Sequence, residues 1–462
     1  MGAPPIGYPH WLGPYYGGFR FFFHARKMTA EGYRKVKSQG VFKLPRWNSW
    51  LYVVAGDTLV KEIHSLPDDT LSLLESAYEE LQMKYTMGEN LHFDPYHVPV
   101  LKVKLRRNLE HMVSETTEEV LLAFEEQIGR HCDDEWKEMD VVEPLVKVMS
   151  RTFNRIIVGP SLCRNENYIE IASRSALERF IIGFFINTFP SFLRPLVGRL
   201  VTRLPKTVAA SMKHYLPMIL DRKAAISEYG KDWSNKPNDV LSWLMDIAKG
   251  TQSDPHDLTI RLLAVNGAST HTSSLSFTQA IINMAVHADY AGPLREEAHC
   301  IIDSFGWSKA ALDRLVKMDS FLKESMRVNG LGSVTHARRA VKPIRLSDGT
   351  YVPEGSYISA ALDVHFDERH YPNPEIFNGW RFYDDSNSLA NGEDGFVVPK
   401  LHYLPWGYGK HAWYPGRFIV AYVMKALMAH IVLNYDLKMG GNGGRPRDVW
   451  FGYMCSHSRS VK

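Results

Sequence analysis

Cysteine is scarce: the 462 residues hold four, Cys132, Cys163, Cys300 and Cys455, far apart and without a C-x-x-C pair. A disulfide framework is thereby excluded, and a reducing compartment fits best. A dominant charge is missing too. Lys and Arg number 54 against 51 Asp and Glu, a formal net charge of +3, and the basic residues are scattered rather than striped. Nucleic acid is therefore not an expected partner. Long apolar runs are absent. The most apolar stretch, FIIGFFINTFPSFL from Phe180 to Leu193, is interrupted by Asn187 and Pro190 and is shorter than the roughly 20 residues a membrane-spanning helix needs. It reads as a buried helix or pocket roof, or as a segment that makes peripheral contact with a membrane. The opening MGAPPIGYPHWLGPYYGGF has neither the basic nor the apolar region of a signal peptide. Linkers rich in Pro, Gly or Ser and internal repeats are lacking as well, so a lead-in of residues 1–30 and one large domain over 31–462 are expected.

What the sequence does hold is helix. With 45% hydrophobic and 12% aromatic residues the chain can bury a large core. Apolar residues recur at spacings of three and four over 69–85, 97–129, 142–158, 168–188, 206–229, 238–249, 256–287, 291–303, 308–328 and 417–433, which is the amphipathic helix pattern. Asp254-Pro255 and Pro415 stand where a helix N-terminus tolerates a missing N–H. Strand signals are short: WLYVVAG at 50–56, and the pair flanking Asp348-Gly349 in PIRLSDGTYVP, where Asp-Gly favours a hairpin turn. The fold class expected is mainly α with small β-sheets.

Three motifs follow in order. Glu324 and Arg327, in FLKESMRVNG, lie three residues apart on one helical face, where they can pair and reach a third group. PNPEIFNGWRF then supplies Arg381. Finally WGYGKHAWYPGRF, Trp406 to Phe418, looks like a metal-ligand loop without a ligand sulfur. A lone E-x-x-R is most often a solvated pair; the ordered set of three is more specific.

That set resembles the cytochrome P-450 superfamily of haem-thiolate monooxygenases, in its fungal branch. The resemblance covers nearly the whole chain and includes YHVPVLKVKLRRNLE, KPNDVLSWLMDIA, NGASTHTSSLSFTQAIINMAVH, LSDGTYVPEGSYI and HFDERHYPNPEIFNGWRF. It implies the cytochrome P-450 fold. The N-terminal anchor usual in the family is not seen in residues 1–30. By the resemblance, Glu324, Arg327 and Arg381 form a structural triad, Arg338 binds a haem propionate, and His97 and Lys102 lie near the other propionate. His271 and Thr272, following Asn266, match the acid and alcohol that deliver protons to iron-bound oxygen.

The ligand loop departs from the family's F-G-x-G-x-x-x-C-x-G. Trp413 or Tyr414, depending on the direction of counting, occupies the cysteine position, and an indole cannot donate electron density to iron as a thiolate does. Three readings compete. Haem could be held by Tyr414 or His411, the chain could be an inactive binding protein, or it could be a haem-free enzyme.

The third reading is the one expected here: a non-redox cyclase of an isoprenoid diphosphate in fungal secondary metabolism, with a pericyclase or isomerase of a neutral substrate as its variant. Arg338, His97, Lys102 and His411 would hold the diphosphate, Mg²⁺ would neutralise the leaving group, and Asn266, His271 and Thr272 are the candidate catalytic residues. Such chemistry needs neither a haem thiolate nor a redox partner. The expected location is the cytoplasm, or the surface of the endoplasmic reticulum if an anchor precedes the chain. Asp133-Asp134-Glu135 with Glu138, and NDVLSWLMD from Asn238 to Asp246, imitate metal motifs, but surface helix ends explain them better, so the metal ligands stay unknown.

Overall fold

The computed structural model describes residues 2–7, 13–47, 49–129, 136–384, 395–409, 412, 416–440 and 443–456. It is mainly helical with small sheets. The organising element is the central helix Pro255–Val286, started by Asp254, whose side chain accepts the His256 N–H, with Pro255 in the first turn. Helix Val142–Val158 packs between it and helix Leu109–Ile128, and its buried Leu145, Val148, Met149, Thr152, Phe153 and Ile156 follow the i, i+3, i+4 spacing of a core-facing helix. The helix Glu166–Asn187, here the roof helix, crosses the central helix on another side.

A second apolar core lies under a five-stranded sheet ordered Gly40–Pro45, Trp50–Ala55, Tyr357–Ala360, Arg338–Ala340 and Leu71–Ser72. Trp50–Ala55 runs parallel to Tyr357–Ala360, and the other neighbours are antiparallel. Its middle strands are buried nearly throughout, with Leu51, Val53 and Ala360 at 0% exposure, which explains their continuous apolar text. The expected Asp348-Gly349 hairpin is present, joining Ile344–Arg345 to Tyr351–Val352, and Gly349 takes the positive φ of 84° that the turn requires.

Several expected boundaries need correction. The helix expected over 69–85 is interrupted: Leu71–Ser72 is a strand, and Gln82 is left-handed at φ 49° and ψ 51°, separating Leu73–Glu80 from Met83–Thr86. The helix expected over 308–328 is two, Lys309–Leu312 and Val316–Val328, and the Glu297 carboxylate accepts the N–H groups of Lys317 and Met318 at the start of the second. The lead-in of residues 1–30 contains most of a helix, Gly13–Lys35, whose Phe21, Ala25 and Met28 are buried in the sheet core. Gly416–Asn434 is the one helix among the described residues long and apolar enough to cross a membrane, and 72% of its apolar window is buried inside the molecule.

Candidate functional site

Helix Val316–Val328 turns Glu324 and Arg327 inward, both side chains at 0% exposure. Arg327 donates through Nε and Nη2 to the two Glu324 oxygens at 2.7 and 2.8 Å. Its remaining donors reach the carbonyls of His365 and Pro374, and Arg381 Nε reaches the same Glu324 carboxylate at 3.0 Å. Every buried charge is thus paired and hydrogen-bonded, the condition under which such a network is tolerated.

The glycine-bearing loop after this network is anchored at its start. Trp406 is buried, its indole N–H donates to the Phe396 carbonyl at 2.8 Å, and its ring meets Phe396 edge to face. Gly407 and Gly409 take φ values of 77° and 60°, the left-handed region that favours glycine. His411, Trp413 and Tyr414 lie outside the described residues.

Arg338 opens the strand Arg338–Ala340 and is 6% exposed, with Nη1 buried and unpartnered. Burial pushes its pKa down to about 10, so it stays a cation at neutral pH. His97 begins helix His97–Arg107. Its Nδ1 accepts from Arg261 at 3.0 Å, because arginine can only donate. Burial, reinforced by Arg261, lowers the imidazole pKa to about 4, so His97 is neutral with its proton on Nε2. Lys102, on the same helix, is exposed. None of the hydrogen bonds or ion pairs of Arg338, His97 and Lys102 joins one of the three to another. A neutral imidazole and a solvated lysine do not make the cationic wall expected for a diphosphate.

The central helix carries the remaining candidates. Asn266 is fully buried and donates to Asn154 at 2.6 Å; Asn154 also accepts from Tyr168, whose hydroxyl meets Tyr215. His271 Nε2 donates to the Ser173 carbonyl of the roof helix at 2.8 Å, and burial lowers the pKa of the ring. The Thr272 hydroxyl donates to the Ala268 carbonyl one turn back, a common helical arrangement that leaves its lone pairs open. His271 and Thr272 are therefore adjacent and ordered.

The metal-like motifs are structural or outside the described set. Asp239 caps helix Val240–Ile247 and pairs with Arg222 through both oxygens, at 2.6 and 2.7 Å. Asp246 pairs with Lys236, and residues 133–135 are not among those described. No group of three or more His, Cys, Asp or Glu that could hold a metal ion occurs among the described residues.

With this geometry in hand, comparison decides the family. The model of the family described as Cytochrome P450 matches residues 97–458. The chain belongs to the cytochrome P450 family. It is similar to Cytochrome P450 monooxygenase 151 of Postia placenta, 37% identical over 452 residues, with 97% of this chain and 90% of the relative covered. Cytochrome P450 monooxygenase CYP512U6 of Ganoderma lucidum is 32% identical over 93% of this chain and 84% of its own length. The Ent-kaurene oxidase of Gibberella intermedia is 29% identical over 97% of this chain and 84% of its own length.

Family membership corrects the cofactor expectation. A chain of the cytochrome P450 family, similar along its length to proteins named monooxygenases, is to be read with the family's haem thiolate rather than as haem-free with Mg²⁺. The described residues fit haem on the propionate side. A buried guanidinium with an unsatisfied Nη1 at Arg338 and a neutral Nε2–H at His97 are donors suited to carboxylates. The sequence has no cysteine between Cys300 and Cys455, so the family's sulfur ligand is the one element of the site that the Trp406–Phe418 text does not spell out.

Arg261 is a neighbour of the candidate His97 that sequence reading missed. Arg261 holds His97 from the central helix while its guanidinium pairs with Asp257 and covers the Tyr96 ring. Only contacts distant in sequence reveal it.

Proposed function

We propose that this cytochrome P450 is a haem-dependent monooxygenase acting on an apolar isoprenoid. The observation that carries the proposal is the unpartnered Nη1 of Arg338, buried in a family whose cofactor presents carboxylates. Bound haem would supply dioxygen activation: one oxygen atom enters a substrate C–H bond and the other leaves as water, with two electrons from an external donor and two protons. In this reading Arg338 and His97 hold the propionates. Arg261 keeps the His97 proton on Nε2, and the Glu324 network ties helix Val316–Val328 to the segment 372–378. His271 and Thr272 pass protons along the central helix. An electron-donating partner replaces the expectation of no redox partner.

The relative named Ent-kaurene oxidase and the apolar text of the roof helix support this substrate class. Cyclisation of a prenyl diphosphate is the weaker reading, because His97 is held neutral and Lys102 is solvated. We include in the proposal a peripheral lipid contact through the end of the roof helix and the segment that follows it.

Protein produced with a haem precursor is expected to purify with haem. Arg338→Ala should weaken haem retention about ten- to a hundredfold, the weight of a charge-assisted contact of roughly 1.5–3 kcal/mol. The Soret position of the reduced CO complex then reports whether sulfur holds the iron. Protein that refuses haem, yet converts farnesyl diphosphate with Mg²⁺ and no reductant, would overturn the proposal.

A further inference from the structure

Arg179, in the roof helix, is a half-buried cation whose hydrogen bonds go to backbone carbonyls and a serine rather than to an acid of the described residues. Its Nε donates to the Ser175 carbonyl at 3.0 Å, and Nη2 donates to the Leu263 carbonyl of the central helix at 2.9 Å and to Ser175 Oγ at 3.5 Å. No carboxylate among the described residues pairs with it. The neighbouring Glu178 is engaged with Arg174 and Arg203. Burial brings the Arg179 pKa down to about 10, leaving the group charged at neutral pH.

Interior arginines set the contrast. Arg151 meets Glu119, Arg222 meets Asp239, Arg261 meets Asp257 and Arg327 meets Glu324. Arg338 keeps an unpartnered Nη1 even with the Asp68 charge nearby, and there the fold family supplies an anionic cofactor group. A charge drawn out of water is costly when left uncompensated, so half-buried Arg179 raises the same question in milder form, with no cofactor to answer it.

The central helix is shaped around this side chain. A Cβ at Gly267 would stand 2.8 Å from Arg179 Nη2 and 3.4 Å from the Ala176 Cβ. Glycine therefore leaves the guanidinium its place one turn before His271, whose titration Arg179 also influences. Beside it is a small cavity lined by Arg179 and Ser175, by the paired Glu178 and Arg203, and by the apolar Ile260 and Leu263.

We infer that Arg179 anchors the carboxylate of an acidic, otherwise apolar substrate against the Gly267 face of the central helix. The inference rests on the monooxygenase reading and narrows its substrate class from apolar hydrocarbons to acids. The guanidinium offers a planar set of donors, of which backbone carbonyls use only part, and it matches a carboxylate geometrically. Held there, the acid end of the substrate fixes which carbon lies near His271 and Thr272.

The test is calorimetric titration of the haem-loaded protein with dodecanoate and with methyl dodecanoate, probes that differ only in the charged end. Wild type is expected to prefer the acid by about tenfold or more, Arg179→Gln to lose the preference, and Arg179→Lys to keep part of it. If Arg179→Gln does not fold, Gly267→Val serves instead, since it displaces the guanidinium without removing the charge and should reduce the acid preference. Equal binding of acid and ester by wild type, or a preference that survives Arg179→Gln, would make Arg179 only a strap between two helices. Haem content is read separately by absorbance. Full haem without acid preference overturns this inference alone; a colourless protein overturns the monooxygenase reading, while its acid-to-ester ratio still reports on Arg179.

Discussion

Arg381 reaches across 57 positions of sequence to set its Nε 3.0 and 3.1 Å from the two oxygens of Glu324. Because Arg327 holds the same carboxylate from within the helix, Glu324 is the shared centre of two cations. Removing it would leave both guanidinium groups without their acid in the interior. Breaking a buried pair from one side costs about 3–5 kcal/mol, a large part of a domain's net stability. Glu324→Ala is therefore expected to be insoluble or to unfold at much lower urea than wild type. Arg381→Ala should cost less, because Arg381 is 10% exposed and Arg327 still neutralises the acid. A soluble Glu324→Ala protein with an unchanged unfolding midpoint would show that the network is dispensable.

The pH dependence of stability is set in part by His365. Its ring is 2% exposed, stacked on Tyr403, and its Nε2 accepts the Leu404 N–H at 3.1 Å, so a proton there would remove a buried hydrogen bond. Burial, with Arg327 nearby, pushes its pKa to about 3. The unfolded chain takes up the proton near pH 6.5, whereas the folded chain refuses it until about pH 3. This contribution is therefore complete above about pH 6.5 and declines as the pH falls toward 3, with a limiting slope of about 1.4 kcal/mol per pH unit. Urea midpoints measured at pH 7, 6 and 5 should fall, and His365→Gln should lessen the decline. A wild-type midpoint that stays flat over this range contradicts the assignment.

Helices were legible where one apolar face ran uninterrupted. Val142–Val158 occurs with the boundaries its periodicity marks, and the central helix agrees within one residue at each end. Gly13–Lys35 was not among the helices expected, and it contains Gly17 and Gly18. They serve packing: a Cβ at Gly17 would stand 2.7 Å from Pro45, and one at Gly18 would stand 2.9 Å from the Trp47 backbone. The triad was legible because E-x-x-R marks one helical face, and Arg381 followed from the family pattern. Arg179 was not, since its meaning depends on Gly267 across a helix crossing, and sequence spacing carries no record of that approach. The neutral state of His97 was equally hidden, because it follows from burial of the ring and from Arg261 donating to Nδ1.

The last prediction concerns the lipid surface. Phe192, Leu196 and Leu200 are 77%, 59% and 76% exposed, and Phe19 and Phe23 of the N-terminal helix are 56% and 51% exposed. Phe22 stacks on Phe184 at 4.7 Å, joining that helix to the roof helix. Between Glu178 and Asp221 the sequence holds no acid; of the cations in the interval, Arg194 and Arg203 reach Glu79 and Glu178, while Arg199 and Lys206 are exposed. Exposed apolar side chains bordered by cations match an anionic membrane surface, where each nearby basic residue contributes about 1 kcal/mol. The protein is expected to sediment with phosphatidylserine-containing vesicles more strongly than with phosphatidylcholine vesicles, and added salt should reduce the difference. Phe192→Ser combined with Leu200→Ser should lower partitioning about tenfold or more, since inserting such side chains is worth about 1.5–3 kcal/mol each when complete. Haem content in the double variant should match wild type, because neither residue contributes to the cofactor site. Vesicle binding that is equal on both lipids, and unaltered by the double substitution, would remove this face as a membrane contact.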